Sequence, residues 1–165
     1  MTIAIRPITL ADADSFHAGL DAVARERKHL AFLEAPALSE VRSFVAGNIE
    51  SGVPHVVALR ETEVVGWCDI QPLGLPTRRH CGTLGMGVLA PFRGQRIGER
   101  LLRACLDLAR QAGISRVELE VRADNAAACA LYRRLGFADE GIRRHSLRVD
   151  GECLNTLAMA LLLPP

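Results

Sequence analysis

The sequence has no apolar run of membrane-spanning length, no block of like charge, no internal repeat and no low-complexity tract. Each absence removes a class of protein. A helical span needs about 20 consecutive apolar residues, and no such stretch occurs. The start, MTIAIRPITL, lacks a basic end followed by an apolar core and a cleavage site, so no secretory signal is read there. Twenty Lys and Arg against 19 Asp and Glu leave a formal charge of +1. That balance gives no general attraction to nucleic acid or to a membrane surface, so any anion site must be local. The five cysteines (Cys68, Cys81, Cys105, Cys129 and Cys153) are odd in number and form no C-x-x-C pair, and the five histidines are dispersed. Neither a disulfide framework nor a metal site is expected. The expectation is a cytoplasmic chain forming one domain over residues 1–165, long enough for a single substantial core.

What is present centres on Leu84 to Ala112, LGMGVLAPFRGQRIGERLLRACLDLARQA. Thr83 to Leu89 reads as a strand and Ala90 to Ile97 as a loop. From Gly98 the apolar residues Leu101, Cys105, Leu108 and Ala112 recur at helical spacing, and Gly113 closes the helix. Arg93-Gly94-Gln95-Arg96-Ile97-Gly98 therefore leads into a first helical turn, where backbone N–H groups lack intrahelical partners and the dipole is positive. Such a turn seats a diphosphate. Glycine at 94 and 98 admits an anion to the backbone, and Arg93 and Arg96 add positive charge nearby. Gly85-Met86-Gly87-Val88-Leu89-Ala90 also matches the dinucleotide pattern G-x-G-x-x-A. The context refutes a nicotinamide enzyme, because these glycines lie within a strand and Pro91 follows where a helix should be under way.

In chain order, Thr2 to Arg6 alternates as a first strand that Pro7 ends, and Thr9 with Asp12 opens a helix carrying Phe16, Leu20 and Val23. A second helix begins near Ser39, carries Val41, Phe44, Val45 and Ile49, and stops at Ser51-Gly52. His55 to Arg60 and Val64 to Gln71 form a hairpin, and a Pro/Gly loop leads to the fourth strand. After the central helix, Arg116 to Val121 has period 2 and must run parallel to the fourth strand, because a helix crosses between them. Ala123 to Leu135 is a helix opened by Asp124 or Asn125. Phe137 to Ile142 and Leu154 to Leu163 are the last strands, with Asp150-Gly151 as a turn.

The 93–98 loop resembles the coenzyme A loop of the GNAT superfamily of N-acetyltransferases, Arg/Gln-x-x-Gly-x-Gly/Ala, with Arg96 standing where the middle glycine belongs. Leu119-Glu120-Val121-Arg122, then Asn125, Ala128, Leu131-Tyr132 and Leu135-Gly136-Phe137, resemble the same family's second signature, in a form close to that of ribosomal-protein N-terminal alanine acetyltransferases. The segment Arg148-Val149-Asp150-Gly151 through Asn155 to Ala160 is similar instead to small-molecule or uncharacterised members, which more often carry Asp at position 155.

The resemblance implies an α/β mixed sheet in the order β-α-α-β-β-β-α-β-α-β-β, with a splayed parallel strand pair at the centre. It implies acetyl-coenzyme A as cosubstrate, no metal, and transfer to a primary amine by direct attack in a ternary complex. A coenzyme A binding module without catalysis is the alternative. Met86 and Val88 would offer backbone groups to the pantetheine and the acetyl carbonyl, the Gly85-Met86-Gly87 run suiting a bulge and close approach. The backbone of Arg93, Gly94, Gln95, Arg96, Ile97 and Gly98 would hold the diphosphate, and Asn125 would cap its helix and help position the cofactor. Tyr132, the sole tyrosine, would protonate the leaving thiolate, and Glu120 would help deprotonate the amine. Glu26, Phe32 and Glu34 border the expected acceptor region. The acceptor would be a small molecule or a peptide N-terminus, with no nucleic acid or membrane partner, and a homodimer is compatible. Cys81 and Cys129 lack a convincing His partner for a covalent acetyl-enzyme.

Overall fold

The computed structural model describes residues 2–164; Met1 and Pro165 lie outside the described residues. In chain order the elements are β1 (Ala4–Pro7), α1 (Ala13–Arg25), α2 (Leu38–Glu50), β2 (His55–Arg60), β3 (Glu63–Pro72), β4 (Cys81–Val88), α3 (Ile97–Gln111), β5 (Arg116–Arg122), α4 (Ala126–Arg134), β6 (Ala138–Val149) and β7 (Glu152–Leu162). The expected order of strands and helices is the one observed. Seven strands form a single sheet in the order β1-β2-β3-β4-β5-β7-β6, antiparallel except for β4 with β5.

Two cores, one on each face, follow from the strand alternation. Val57, Leu59, Val64 and Trp67 meet Phe16, Leu20 and Val23 of α1 and Val41 and Val45 of α2. Cys68, Ile70, Leu84, Val117 and Leu119 meet Leu101, Leu102 and Cys105 of α3, and Cys129 and Tyr132 of α4 join the same cluster. Leu101 and Leu102 are fully enclosed. Truncating either to alanine would cost about 2–5 kcal/mol, because both the burial and the packing are lost.

Several local expectations are corrected. Pro7 pairs with Val56 as the last residue of β1, which its place on an edge strand allows. Asp12 accepts from the Thr9 backbone N–H at 2.8 Å, but the turn it caps is a single 3₁₀ turn, and the α-helix starts at Ala13. The bulge expected at Gly85-Met86-Gly87 is absent. β3 and β4 pair in unbroken register from Gly66↔Val88 to Pro72↔Gly82, and the register shift falls in β2, between Ala58 and Leu59. The glycines of β4 serve a packing need instead. A Cβ at Gly87 would stand 2.5 Å from the Trp67 ring, and one at Gly85 would stand 3.3 Å from Asp69 Oδ1. β6 continues to Val149, well past Ile142, through two register irregularities at Gly141 and between Arg143 and Leu147. Asp150 and Gly151 both take positive φ (51° and 81°), which matches the right-handed twist of the hairpin they close.

Candidate active site

Three pairs, Cys81↔Arg116, Gly82↔Val117 and Thr83↔Glu118, are the whole of the parallel β4–β5 ladder. Beyond Thr83 the strands part. β4 continues against β3 to Val88, and β5 continues against β7 to Arg122, where it pairs with Thr156. Leu89 N–H donates to the Val65 carbonyl at 2.9 Å. Because successive N–H groups of a strand point to opposite sides, those of Met86 and Val88 point away from β3 into the opening. An extended ligand lying in the gap finds there the backbone partners that β5 no longer supplies.

On one face of the sheet, the start of α3 borders this gap. Gly94 and the helix N-cap Arg96 both hold positive φ, 75° and 59°. Arg100 N–H is the first to return to the helix, bonding the Arg96 carbonyl at 3.1 Å, so the N–H groups of Ile97, Gly98 and Glu99 have no helical acceptor. Ile97 is buried and anchors the turn, and the Gln95 side chain donates to the Pro91 carbonyl at 3.2 Å. A Cβ on Gly98 would lie 3.4 Å from both Met86 Cε and Leu131 Cδ2, so its missing side chain faces the splay. Arg96 makes no ion pair among the described residues and is free to reach an anion. Arg93 is not free. Its guanidinium holds Glu26 through two bonds (2.8 and 2.7 Å), and its Nε donates to the Val88 carbonyl at 2.9 Å. The pairing holds the Glu26 carboxyl below its ordinary range, with the Arg93 hydrogen bond as the largest cause.

Asn125 is the N-cap of α4, its Oδ1 accepting from Ala128 N–H at 3.2 Å. Two turns on, Tyr132 is buried, with its ring 5.6 Å from that of Phe137. Burial pushes its phenol well above the ordinary value, so the proton stays on oxygen at any working pH. Its hydroxyl makes no hydrogen bond among the described residues, yet it is not sealed from solvent.

The opposite face carries the charged side of β5. Glu120 points there, between Arg143 (2.5 Å) and Thr156, whose hydroxyl donates to it at 3.1 Å. Glu118 is tied to Arg78 and Arg116. On the same face a cavity of about 470 Å³ lies among α1, α2 and β3, lined by Phe16, Leu20, Phe32, Phe44 and Trp67, with Asp69 and Gly85 at its floor. Of the three acceptor-side residues expected from the sequence, only Phe32 lines it. Glu26 is bound to Arg93, and Glu34 lies 3.4 Å from Arg25. Asp69 escaped the sequence reading although one signal marks it: it is the lone carboxylate in a run buried from Val64 to Ile70. No cation touches it among the described residues, and burial pushes its carboxyl up to about 7, opposed by a 3.4 Å hydrogen bond from Gln71.

Cys81 lies 3.5 Å from His80 Nε2, a contact the sequence reading did not find. The thiol sits at the closed end of the parallel pair, five residues before Met86, and so does not reach the gap. Among the described residues no cluster of His, Cys, Asp and Glu could hold a metal ion, and no helix is long and apolar enough to cross a membrane.

The sheet is opened between two parallel strands, with unpaired helix N–H groups bordering the gap on one face and a largely apolar cavity on the other, an arrangement in which two ligands can meet through the gap. The chain belongs to the acetyltransferase (GNAT) family, whose model matches residues 22–137, and is an N-acetyltransferase. N-alpha-acetyltransferase RimI of Mycobacterium tuberculosis is 43% identical over 109 residues, covering 64% of this chain and 67% of the relative. L-amino acid N-acetyltransferase AaaT of Escherichia coli is 30% identical over 111 residues, covering 66% and 68%. Among solved structures, ribosomal-protein-alanine N-acetyltransferase from Brucella melitensis superposes with a TM-score of 0.90 at 27% identity, covering 97% of this chain and 99% of that one. The yncA protein of Salmonella typhimurium, solved with its cofactor acetyl-CoA, shares the fold at a TM-score of 0.92 and 19% identity, over 99% of this chain and 95% of that one.

Proposed function

We propose that this chain, acting as a single domain, transfers acetyl from acetyl-coenzyme A to a primary amine by direct attack in a ternary complex. The observation that carries this reading is the parting of β4 from β5 after Thr83 and Glu118, which leaves the Met86 and Val88 N–H groups unpaired between the α3 start and the cavity. The diphosphate lies on the backbone of Gly94 to Gly98, with Arg96 as an added cation and Arg93 fixing the loop. Asn125 helps shape the cofactor side. The pantetheine pairs with β4, and a backbone N–H there stabilises the oxyanion. The amine nitrogen attacks the thioester carbon, Tyr132 gives its proton to the departing thiolate, and Glu120 assists removal of the amine proton, directly or through water. The relatives' names point to amino acids and protein N-termini as acceptors, and both fall within the amine class.

Incubation with acetyl-coenzyme A and a panel of small amines, amino acids and peptides, with free thiol and acetylated product followed together, tests the reading. Stoichiometric thiol and N-acetyl product with at least one amine is expected. Coenzyme A binding without product from any amine would leave the non-catalytic alternative.

A further inference from the structure

We propose that Asp69 is the carboxylate that binds the acceptor's ammonium group and takes up its proton, in a pocket whose aromatic walls select an amine bearing an apolar substituent. The inference rests on the transfer reaction proposed above and names the acceptor class and a further catalytic residue for it.

The placement follows from register. Asp69 pairs with Gly85, and the parallel offset Thr83↔Glu118, carried two residues on, brings Gly85 level with Glu120. Asp69, Gly85 and Glu120 thus lie on one line across the sheet, with two carboxylates flanking a residue that has no side chain. Two strand spacings of about 4.8 Å set them roughly 10 Å apart, and the splay adds to that. The two are not equivalent. Glu120 is already held by Arg143 and Thr156. Asp69 is buried, has no cation partner among the described residues, and opens onto the cavity above Gly85 beside Met86, where the thioester is expected. Facing it, β2 contributes His55, which burial keeps neutral with a pKa near 4, and Gln71 follows on β3 itself. α1 contributes only Phe16 and Leu20. α2 contributes Glu40, whose carboxylate is exposed and caps the Ala37 N–H at 3.1 Å. β4 contributes Gly85 and Met86, neither of which titrates.

A buried carboxylate without a counter-ion is costly to keep, and a cationic ligand supplies the missing charge. The walls at Phe16, Leu20, Phe32, Phe44 and Trp67 offer few polar groups and a large contact area to an aliphatic or aromatic substituent. In the reaction, the ammonium held at Asp69 first gives up one proton to solvent with the help of Glu120, and the freed lone pair then forms the N–C bond as the C–S bond breaks. The thiolate takes the proton from Tyr132. After attack the nitrogen passes its second proton to Asp69, from which it leaves to solvent, and a proton from solvent restores Tyr132. Attack makes that nitrogen strongly acidic, so a carboxylate with a pKa near neutrality suffices to receive it.

The test compares Asp69→Asn, Glu120→Gln and Gly85→Ala with the wild-type chain, using phenylethylamine and ethanolamine as acceptors. Wild type should favour phenylethylamine in kcat/KM. Asp69→Asn should bind coenzyme A as wild type does, raise KM for the amine and lower kcat/KM by about tenfold or more, since a charge-assisted bond is lost. The deficit should shrink as pH approaches the amine's own pKa. Gly85→Ala sets a methyl 3.3 Å from Asp69 Oδ1 and should raise amine KM without removing the charge. If no amine yields product with wild type, the transfer reading itself fails. If wild type is active and Asp69→Asn matches it at every pH, or ethanolamine is preferred, this inference alone is overturned.

Discussion

Arg96 holds the left-handed φ of 59° at the N-cap of α3, a conformation that costs a side-chain-bearing residue about 1 kcal/mol or more. Arg96→Gly relieves that strain and gives back part of it as chain entropy in the unfolded state. The expected net is a gain of about 0.5–1 kcal/mol, read as a melting point higher by a few degrees. An equal or lower melting point would show that the side chain more than repays the strain. Asp69 presents the opposite case. Its folded pKa of about 7 lies above the ordinary 3.8, so the neutral form carries the stability, which is full below about pH 4 and lost as pH rises to 7. Asp69→Asn should therefore stabilise the fold by roughly 3–4 kcal/mol at pH 8, with the gain fading toward pH 4. His55, lowered to about 4, works the other way: its stability is lost as pH falls from 6.5 toward 4. Comparing the two proteins at each pH cancels that contribution, and a gain independent of pH would deny the Asp69 titration. Tyr132→Phe removes only the hydroxyl, leaves the packing on Phe137, and should cut the single-turnover rate by roughly 10²–10⁴ with acetyl-coenzyme A still bound. Tyr132 was legible because it sits inside a spaced signature. Asp69 was not, because a single carboxylate within an apolar strand carries no spacing, and its face and neighbours exist only once the sheet is paired.

At the scale of elements, the β4–loop–α3 unit could be read almost residue by residue, since strand alternation, the Gly94 and Gly98 punctuation and helical periodicity all fall within one contiguous stretch. β6 could not. Its residues are largely exposed and polar, so no alternation marks the stretch beyond Ile142, and only pairing to β7 makes it a strand. Arg93 shows how an element-level contact redirects a residue-level reading. In sequence it is a cation beside the anion seat, yet folding brings the end of α1 against the loop and Glu26 captures it. It therefore joins three pieces: α1, the 93–98 loop and the last carbonyl of β4. Arg93→Ala should weaken coenzyme A binding several-fold by loosening the loop, without changing how binding responds to ionic strength. Removing a direct ion pair to phosphate would instead flatten that salt response, because screening acts on the charge pair itself. Titrations of both proteins at low and high salt separate the two roles.

At the scale of the whole molecule, the two ligands would meet from opposite faces of one continuous sheet, and the chain ties those faces together at its rim. Arg27, at the end of α1, grips Asp150 in the β6–β7 turn through two bonds (3.0 and 2.6 Å), and its carbonyl accepts from Arg122 on β5 at 2.9 Å. The α1 end is thus joined to the hairpin on one side and, through Glu26, to the 93–98 loop on the other. The core under α3 draws on both halves of the sheet, Cys68, Ile70 and Leu84 from one and Val117, Leu119 and Met159 from the other, although β5 pairs with β4 for only three residues. Heating should accordingly give one cooperative transition, with calorimetric and van't Hoff enthalpies equal. Coenzyme A at about 100 times its Kd should add about 2.7 kcal/mol and move that single transition up by roughly 5–10 °C without splitting it. Two resolved transitions, with only one shifted by coenzyme A, would divide the chain into units that fold separately. The gap would then be a seam between domains, with no single sheet spanning it.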